Sequence, residues 1–232
     1  MNEILKNIKE RRSSRGEFDN ERPISSQELR MILEAASWAP TPHNMQNFQV
    51  IALDDKETLA EIGKIKRQIS EDFIRENYQQ LSFSEEELKA KKTGILSTSF
   101  PQFMRKPTIE KNEQIRNPVQ TSPVMLVVVY DTTNRAPASE GDFLGVMGLG
   151  CVMENMWLMA NSLGIGFHLM SALNGEPAEG EAKKILGIPE QFRIAYTIRL
   201  GYPLKSDGRL RVRRDIEDFT HHNEFGVKGD VL

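Results

Sequence analysis

A nearly uncharged segment over residues 143–160 places the strongest limit on how this chain can fold. It is almost long enough to span a bilayer, but Glu154 and Asn155 lie near its middle, and a charge there costs about 2.5 kcal/mol or more. The segment therefore predicts a helix over about 143–163 that ends at Gly164 and is covered by protein, not lipid. A second copy of the chain is one such cover, which predicts a homodimer centred on this helix.

Helical and alternating patterns elsewhere predict an α+β domain with a central sheet flanked by helices. The apolar run 124–130 lacks polar alternation, which is typical of a strand buried on both faces. Further strands are predicted at 48–53, 165–169 and 194–200. Helices are predicted over 3–11, after a Ser25–Glu28 capping box, from about Lys56, and over 178–186.

Length, charge and cysteine content limit the class of protein. The chain has 232 residues, which fits one domain over 1–232, and its formal net charge of −3 predicts no affinity of the whole molecule for nucleic acid. The single cysteine, Cys151, allows no intrachain disulfide, and the charged N-terminus lacks the apolar core of a secretory signal. We therefore expect a cytoplasmic protein. The weakly patterned segment of about 67–120 is expected to be an insertion, either a lid or a brace of the dimer.

Two basic clusters stand near opposite ends of the chain. Guanidinium groups pair bidentately with phosphate, and the first cluster adds serine hydroxyls. Taken alone, each cluster is also explained by a solvated helix end or tail. Together they would suit a single dianion if the fold brought them into contact. The clusters are Arg11, Arg12, Ser13, Ser14 and Arg15 near the start, and Arg209, Arg211, Arg213 and Arg214 near the end.

A proline-bearing turn joins the second predicted helix to the first predicted strand. Pro40 and Pro42 stiffen this turn, and Thr41, Asn44 and Gln46 offer hydrogen-bond donors and acceptors from it. Such a set suits a heterocycle such as a flavin pyrimidine ring, and it is also found in ordinary loops that end helices. The histidine in this turn has no second ligand at metal-binding spacing, so we expect no metal site here.

These segments, in this order, resemble the nitroreductase family of flavoproteins. IKERRSSRGEF resembles the family's opening motif, and EAASWAPTPHNMQNFQVIAL resembles its helix, proline turn and strand. ENMWLMANSLGIG resembles its central helix, KKILGIPEQFRIAYTIRLGYP its Leu-Gly-Ile-Pro segment and last strand, and RVRRDIEDFTHHNEFG its closing motif. The resemblance covers nearly the whole chain except about 67–120. The chain departs from the family at Thr41 (usually serine), Asn47-Phe48 (usually Pro-Trp) and Asp215 (usually proline).

The resemblance implies an intertwined homodimer with a mostly antiparallel sheet and FMN bound non-covalently at the dimer interface. Arg11, Ser13 and Arg15 of one subunit would hold the phosphate together with Arg211 and Arg213 of its tail. The proline turn of the other subunit would reach over the flavin, and segment 169–171 would run beside the isoalloxazine ring. The implied cofactor-binding residues are Arg11, Arg12, Ser13, Arg15, Pro40, Thr41, Pro42, Asn44, Gln46, Leu169, Met170, Ser171, Arg211 and Arg213.

The resemblance also implies an enzyme that takes hydride from NAD(P)H at flavin N5 and passes it to an acceptor such as a nitroaromatic or quinone by ping-pong turnover. Arg15 would stabilise the anionic reduced flavin, and backbone N–H groups near 170–172 would hydrogen-bond N5. No catalytic side chain and no metal are implied. Separately from the resemblance, if the insertion is a lid, Phe100 and Phe103 are the residues expected to cover the open face of the flavin. A reductive dehalogenase, a flavin-processing member of the family and a non-catalytic flavin-binding protein remain alternatives.

Overall fold

The computed structural model describes residues 1–65, 118–136, 143–171, 173–205 and 211–228, with the isolated positions 86 and 90. By its internal contacts the chain divides into two compact units. The first comprises Met1–Gln68 and Ile115–Asp207, and the second comprises Ile69–Gln114 and Gly208–Leu232. The predicted lid or brace at 67–120 falls almost wholly outside the described residues, as does Arg209. The single domain over 1–232 stays a prediction.

The first unit is built on an antiparallel sheet of four strands. In the middle of the sheet, Val127 pairs with Ile51 on one side and Thr197 on the other. The predicted α+β class with an antiparallel sheet is confirmed, and each predicted strand is present with ends shifted by at most a few residues. The strands are β1 (Phe48–Leu53), β2 (Val124–Asp131), β3 (Gly166–Met170) and β4 (Phe192–Gly201), in spatial order β1-β2-β4-β3.

Helices flank the sheet at the positions that sequence periodicity predicts. The Ser25–Glu28 capping box is present: the Glu28 N–H donates to Ser25 Oγ at 3.2 Å, and the Ser25 N–H donates to Glu28 Oε2 at 2.9 Å. The longest helix is followed by Gly164 in a left-handed conformation, with φ of 71°. The helices are α1 (Glu3–Glu10), α2 (Ser26–Ser37), α3 (Lys56–Ile62), α4 (Phe143–Ser162), α5 (Ala178–Leu186) and, in the second unit, α6 (Ile216–Phe219).

The core of the first unit lies on both faces of the sheet. Leu126 and Val128 of β2 join a buried cluster with residues of α2 and α4. Met125 and Val127 point the opposite way and join a second cluster with residues of α3 and α5. Because β2 is covered on both faces, both sets of alternate residues are buried over 124–129, and this part of the strand is apolar throughout. The structure thus confirms that the 124–130 run is buried on both faces.

Helix α4 packs within the first unit along most of its length. The contacts of its polar residues show which segments it packs against. Glu154 Oε1 lies 3.0 Å from Arg11 Nε, and Asn155 Nδ2 donates to the Ala35 carbonyl at 3.0 Å. By length and composition alone α4 would be able to cross a bilayer, a test that core helices of soluble proteins also pass. These contacts show instead that α4 packs against α1 and α2. The cytoplasmic location stays a prediction.

Candidate functional site

The basic segment after α1 is held in an extended conformation against the edge of the sheet. Ser13 forms a parallel bridge with Phe167 of β3, and the Ser14 N–H donates to the Phe167 carbonyl at 2.9 Å. From the helix side, Trp157 Nε1 donates to the Arg12 carbonyl at 3.2 Å. These bonds fix the backbone while Arg12 and Arg15 remain exposed. The structure therefore presents guanidinium groups from a rigid strand-like segment.

Phe18 anchors the far end of this segment on glycines of the sheet. A Cβ at Gly201 would lie 2.6–2.8 Å from Phe18 atoms, and a Cβ at Gly166 would lie 2.8 Å from Phe18 Cε1. The Phe18 ring thus occupies space that any other residue at these strand positions would fill. Phe18 also forms an antiparallel bridge with Pro203, so ring and backbone are both fixed. The anchor sets the path of residues 12–18.

Arg11 contacts α4 of its own chain. Its guanidinium carbon lies 4.4 Å from the centroid of the Trp157 ring, and the same ring stacks on Phe167 with centroids 4.7 Å apart. The Arg11–Glu154 ion pair lacks hydrogen-bond geometry at Nε, which has no hydrogen-bond partner although it is buried. Arg11 is thus engaged by a carboxylate and an aromatic ring. Its assignment to the FMN phosphate stays a prediction.

The proline turn has an unusual backbone that its own side chains hold in place. His43, Asn44 and Gln46 have φ values of 50°, 54° and 46°, in the left-handed region that residues other than glycine rarely adopt. The Gln46 N–H donates to Thr41 Oγ1 at 3.2 Å, and Gln46 Nε2 donates to Asn44 Oδ1 at 2.9 Å. Several such residues within one turn are typical of functional sites, where the surrounding structure maintains the strain. Asn44 and Gln46 are exposed.

This turn and the basic segment lie at different levels of α4. A Cβ at Gly148 would meet Pro42 Cδ at 3.3 Å and Thr41 Cα at 3.5 Å, so the turn crosses α4 at this glycine. The basic segment contacts the helix at Trp157, which is roughly 14 Å further along the axis at 1.5 Å per residue. Within one chain the structure therefore does not bring the two predicted groups of cofactor-binding residues together.

The other predicted residues lie at the end of β3 and in the second unit. Leu169 and Met170 are the last residues of β3, and Ser171 follows them, exposed. In the second unit Arg211 is half-buried, and Arg213 is exposed, with its Nη1 donating to the Val212 carbonyl at 2.7 Å. Their assignment to the phosphate stays a prediction.

The family model of the "Nitroreductase family" matches residues 8–202 of this chain. The chain belongs to the nitroreductase family. The predicted family is thereby confirmed, and the match covers the end of α1, the whole sheet and the helices α2 to α5.

Proteins similar to this member of the nitroreductase family include oxidoreductases. An NADPH-dependent oxidoreductase of Staphylococcus aureus (strain MRSA252) is 20% identical over 226 residues, which is 97% of this chain and 75% of that protein. The FMN-dependent nitroreductase of Clostridium difficile R20291 is 18% identical with a TM-score of 0.62, covering 95% of this chain and 99% of that one. A nitroreductase with bound FMN from Bacteroides fragilis NCTC 9343 is 23% identical with a TM-score of 0.58, covering 96% and 98%.

Sequence reasoning missed a buried arginine side chain beside the basic segment. Arg199 of β4 is 1% exposed, and burial lowers its pKa to about 10. Its Nε donates to Ser122 Oγ at 2.7 Å, its Nη1 lies 3.3 Å from His168 Nδ1, and its guanidinium carbon lies 4.8 Å from the Phe18 ring centroid. Since a guanidinium has no acceptor, His168 Nδ1 must accept, which places the ring proton on Nε2. Among the described residues no carboxylate forms an ion pair with Arg199.

The expectation that the protein binds no metal stays a prediction, because the structure describes only part of the chain. Among the residues that the structure describes, no three His, Cys, Asp or Glu side chains are grouped where they would hold a metal ion. His43 of the proline turn is exposed, and His221 of the second unit packs in a tilted arrangement against Phe225 with centroids 4.4 Å apart.

Proposed function

We propose that this chain is an FMN-dependent oxidoreductase that takes hydride from NAD(P)H and passes it to an acceptor such as a nitroaromatic or quinone by ping-pong turnover. The family match over residues 8–202 supports this, as do relatives named for NADPH dependence and for FMN. The observation that carries the proposal is the segment 12–15, fixed against β3 with Arg12 and Arg15 exposed.

The chemistry of the available groups fits FMN. Guanidinium and hydroxyl groups of the basic segment suit a phosphate, which forms strong charge-assisted hydrogen bonds. The amides of Asn44 and Gln46, exposed on a turn whose backbone is fixed, suit the alternating donors and acceptors of a flavin pyrimidine. The end of β3 offers Leu169 as apolar surface and Ser171 as a polar group.

The protein's own contribution to the reaction is to bind, orient and tune. When bound, the flavin supplies the hydride chemistry at N5. With FMN bound, Arg15 would be the residue that offers a positive charge to the flavin ring, and this charge would favour the anionic reduced form. The two substrates would use the same open face of the flavin in turn. The proton that accompanies each hydride can come from water, so no side chain of this chain is proposed to hold or move one.

The decisive experiment is the colour of the purified protein. We expect a yellow protein whose chromophore, released by heat, has the mass of FMN. Under anaerobic conditions NAD(P)H should bleach it, and a nitroaromatic or quinone should restore the colour with stoichiometric consumption of the acceptor. A colourless protein that takes up no added FMN would contradict the proposal. Yellow protein that NAD(P)H fails to bleach would indicate binding without this turnover.

We propose that the functional form is a homodimer in which a second chain covers the exposed start of α4. Phe143, Val146 and Met147 are 70%, 56% and 53% exposed in the single chain, an apolar patch that a partner would bury. The proline turn and the basic segment lie at different levels of α4, and in the proposed dimer the proline turn of the second chain would complete the site. Obligate interfaces of this kind often bury more than about 2,000 Å².

Sedimentation velocity tests this dimer. We expect the wild-type protein to be a dimer at micromolar concentration, and Val146→Glu to give monomers without FMN, because a charge cannot be buried unpaired in an apolar interface. Ile185→Glu is the matched control, since Ile185 is 37% exposed on α5 and far from α4 on the opposite face of the sheet. A wild-type monomer that retains FMN would exclude the dimer.

A further inference from the structure

A β-bulge in β4 is completed by side chains that the proposed function does not use. The pairing of β2 with β4 jumps from Tyr196 to Ile194, which leaves Ala195 as the extra residue. Asn174, in the loop after β3, donates from Nδ2 to the carbonyls of Ile194 at 3.2 Å and Ala195 at 2.5 Å. A side-chain amide thus donates to two consecutive backbone carbonyls at the bulge.

Glu179 holds the other side of the same bulge. This residue is 1% exposed, and its Oε1 accepts from the Ile194 N–H and from Arg193 Nε, both at 2.8 Å. Its Oε2 accepts from the Gly175 N–H at 3.3 Å. Burial raises the pKa of Glu179, but the hydrogen bonds from Arg193 and Ile194 outweigh it, so the pKa lies below its ordinary value. The carboxylate is therefore charged at neutral pH.

These contacts fix Leu173, Asn174 and Gly175 in the loop after β3. The Asn174 N–H donates to the Ser171 carbonyl at 3.3 Å, the Leu173 side chain is fully buried, and the Gly175 N–H is bound to Glu179. Burying a charged carboxylate is costly unless each of its bonds is formed. A loop of this kind on a surface needs no such device to be stable. The arrangement indicates that its exact backbone path matters.

We infer that Asn174 and Glu179 are positioning residues that set the backbone of the loop after β3 for contact with the flavin. The inference rests on the proposed function, in which Leu169, Met170 and Ser171 run beside the ring. A backbone N–H directed at flavin N5 stabilises the oxidised form, because N5 accepts a hydrogen bond when oxidised and carries a proton when reduced. Loosening the loop should therefore weaken oxidised FMN more than reduced FMN.

Asn174→Ala and Glu179→Gln test this, with Asp55→Ala as the control. Asp55 caps α3 through Thr58, so its loss lowers stability to a similar extent away from the loop. For each protein we would measure the Kd of oxidised FMN, the midpoint potential of bound FMN, and hydrogen exchange of the 171–175 backbone. We expect the Kd of oxidised FMN, divided by the Kd of reduced FMN, to rise about fivefold in both loop variants, as for one lost hydrogen bond. The midpoint potential rises with that ratio, and exchange becomes faster.

The control separates positioning from general stability, since Asp55→Ala should change neither the ratio nor the potential. A wild-type protein that binds FMN, with loop variants whose ratio equals that of the wild type, would overturn the inference and leave the proposed function standing. A wild-type protein that binds no FMN would overturn both. If Glu179→Gln does not fold, Asn174→Ala alone decides, because Asn174 is exposed and its truncation buries no charge.

Discussion

Gly201→Ala is expected to destabilise the first unit by about 1–3 kcal/mol, the usual cost of forcing an extra methyl into a packed site. The added Cβ would lie 2.6 Å from Phe18 Cγ and 2.7 Å from Phe18 Cβ, so rotation of the ring alone does not relieve the clash. The backbone of Phe18 is also bridged to Pro203. The segment must therefore move as a whole, and urea unfolding should show a lower midpoint with an unchanged slope.

Gly16→Ala is the matched control for this prediction. It makes the same chemical change in the segment that carries Phe18, but a Cβ at Gly16 would meet nothing within 4 Å. We expect its stability to stay within about 0.5 kcal/mol of the wild type, as for most surface substitutions. Because Phe18 fixes residues 12–18, Gly201→Ala should also weaken FMN binding. Gly16→Ala leaves the Phe18 anchor intact and should not weaken FMN binding by displacing it. Equal urea midpoints for the two variants would show that Phe18 is not anchored as described.

Local patterns were enough to predict most of this fold. The 124–130 run predicted a strand buried on both faces because no alternation survives when both faces are covered. The Ser25–Glu28 box predicted the start of α2 because both bonds form within one turn. Gly164 predicted the end of α4 for the same local reason. Each feature depends on neighbours within a few residues, which sequence patterns display directly.

The features that sequence reasoning missed all depend on residues far apart in the chain. Arg199 is an example. An arginine within a strand pattern predicts a solvent-facing side chain, but Arg199 is buried beside Ser122 and His168. The Asn174 and Glu179 contacts depend on a bulge at Ala195, and nothing in the local sequence marks its position.

Only part of the candidate site could be predicted from the sequence, for a similar reason. Pro40 and Pro42 indicated a rigid turn, but the left-handed backbone at His43 and Asn44 arises from packing on Gly148 and from the bonds within the turn. For the basic segment the residue types indicated phosphate chemistry. The engagement of Arg11 by Glu154 and Trp157 follows from how α4 lies against α1, which a motif does not contain.

Arg213→Ala is expected to weaken FMN at least tenfold, a change of about 1.4 kcal/mol. The reason is the sequence prediction that arginines from both ends of the chain hold one phosphate. A dianion in a partly buried site needs about two charge-assisted partners to offset its desolvation. Arg213 is exposed, and within the described part of the chain its side chain forms a hydrogen bond only to the neighbouring Val212 carbonyl, so its truncation should cost little stability. Fluorescence titration of FMN into the apoprotein measures the effect.

The neighbouring Arg214→Ala supplies the control for this loss of charge. It removes the same charge one residue away. The guanidinium carbon of Arg214 lies 5.3 Å from the Phe219 ring centroid. We expect the Kd of FMN to change less than about threefold, as for an exposed charge that acts only at a distance. Arg11→Ala is the complementary variant at the other end of the chain, but it also removes the pairing with Glu154, so its unfolding must be measured alongside binding. A phosphate held from both ends of the chain requires at least one of these two arginines to matter. Folded Arg11→Ala and Arg213→Ala proteins that both bind FMN with wild-type affinity would therefore rule out the clamp.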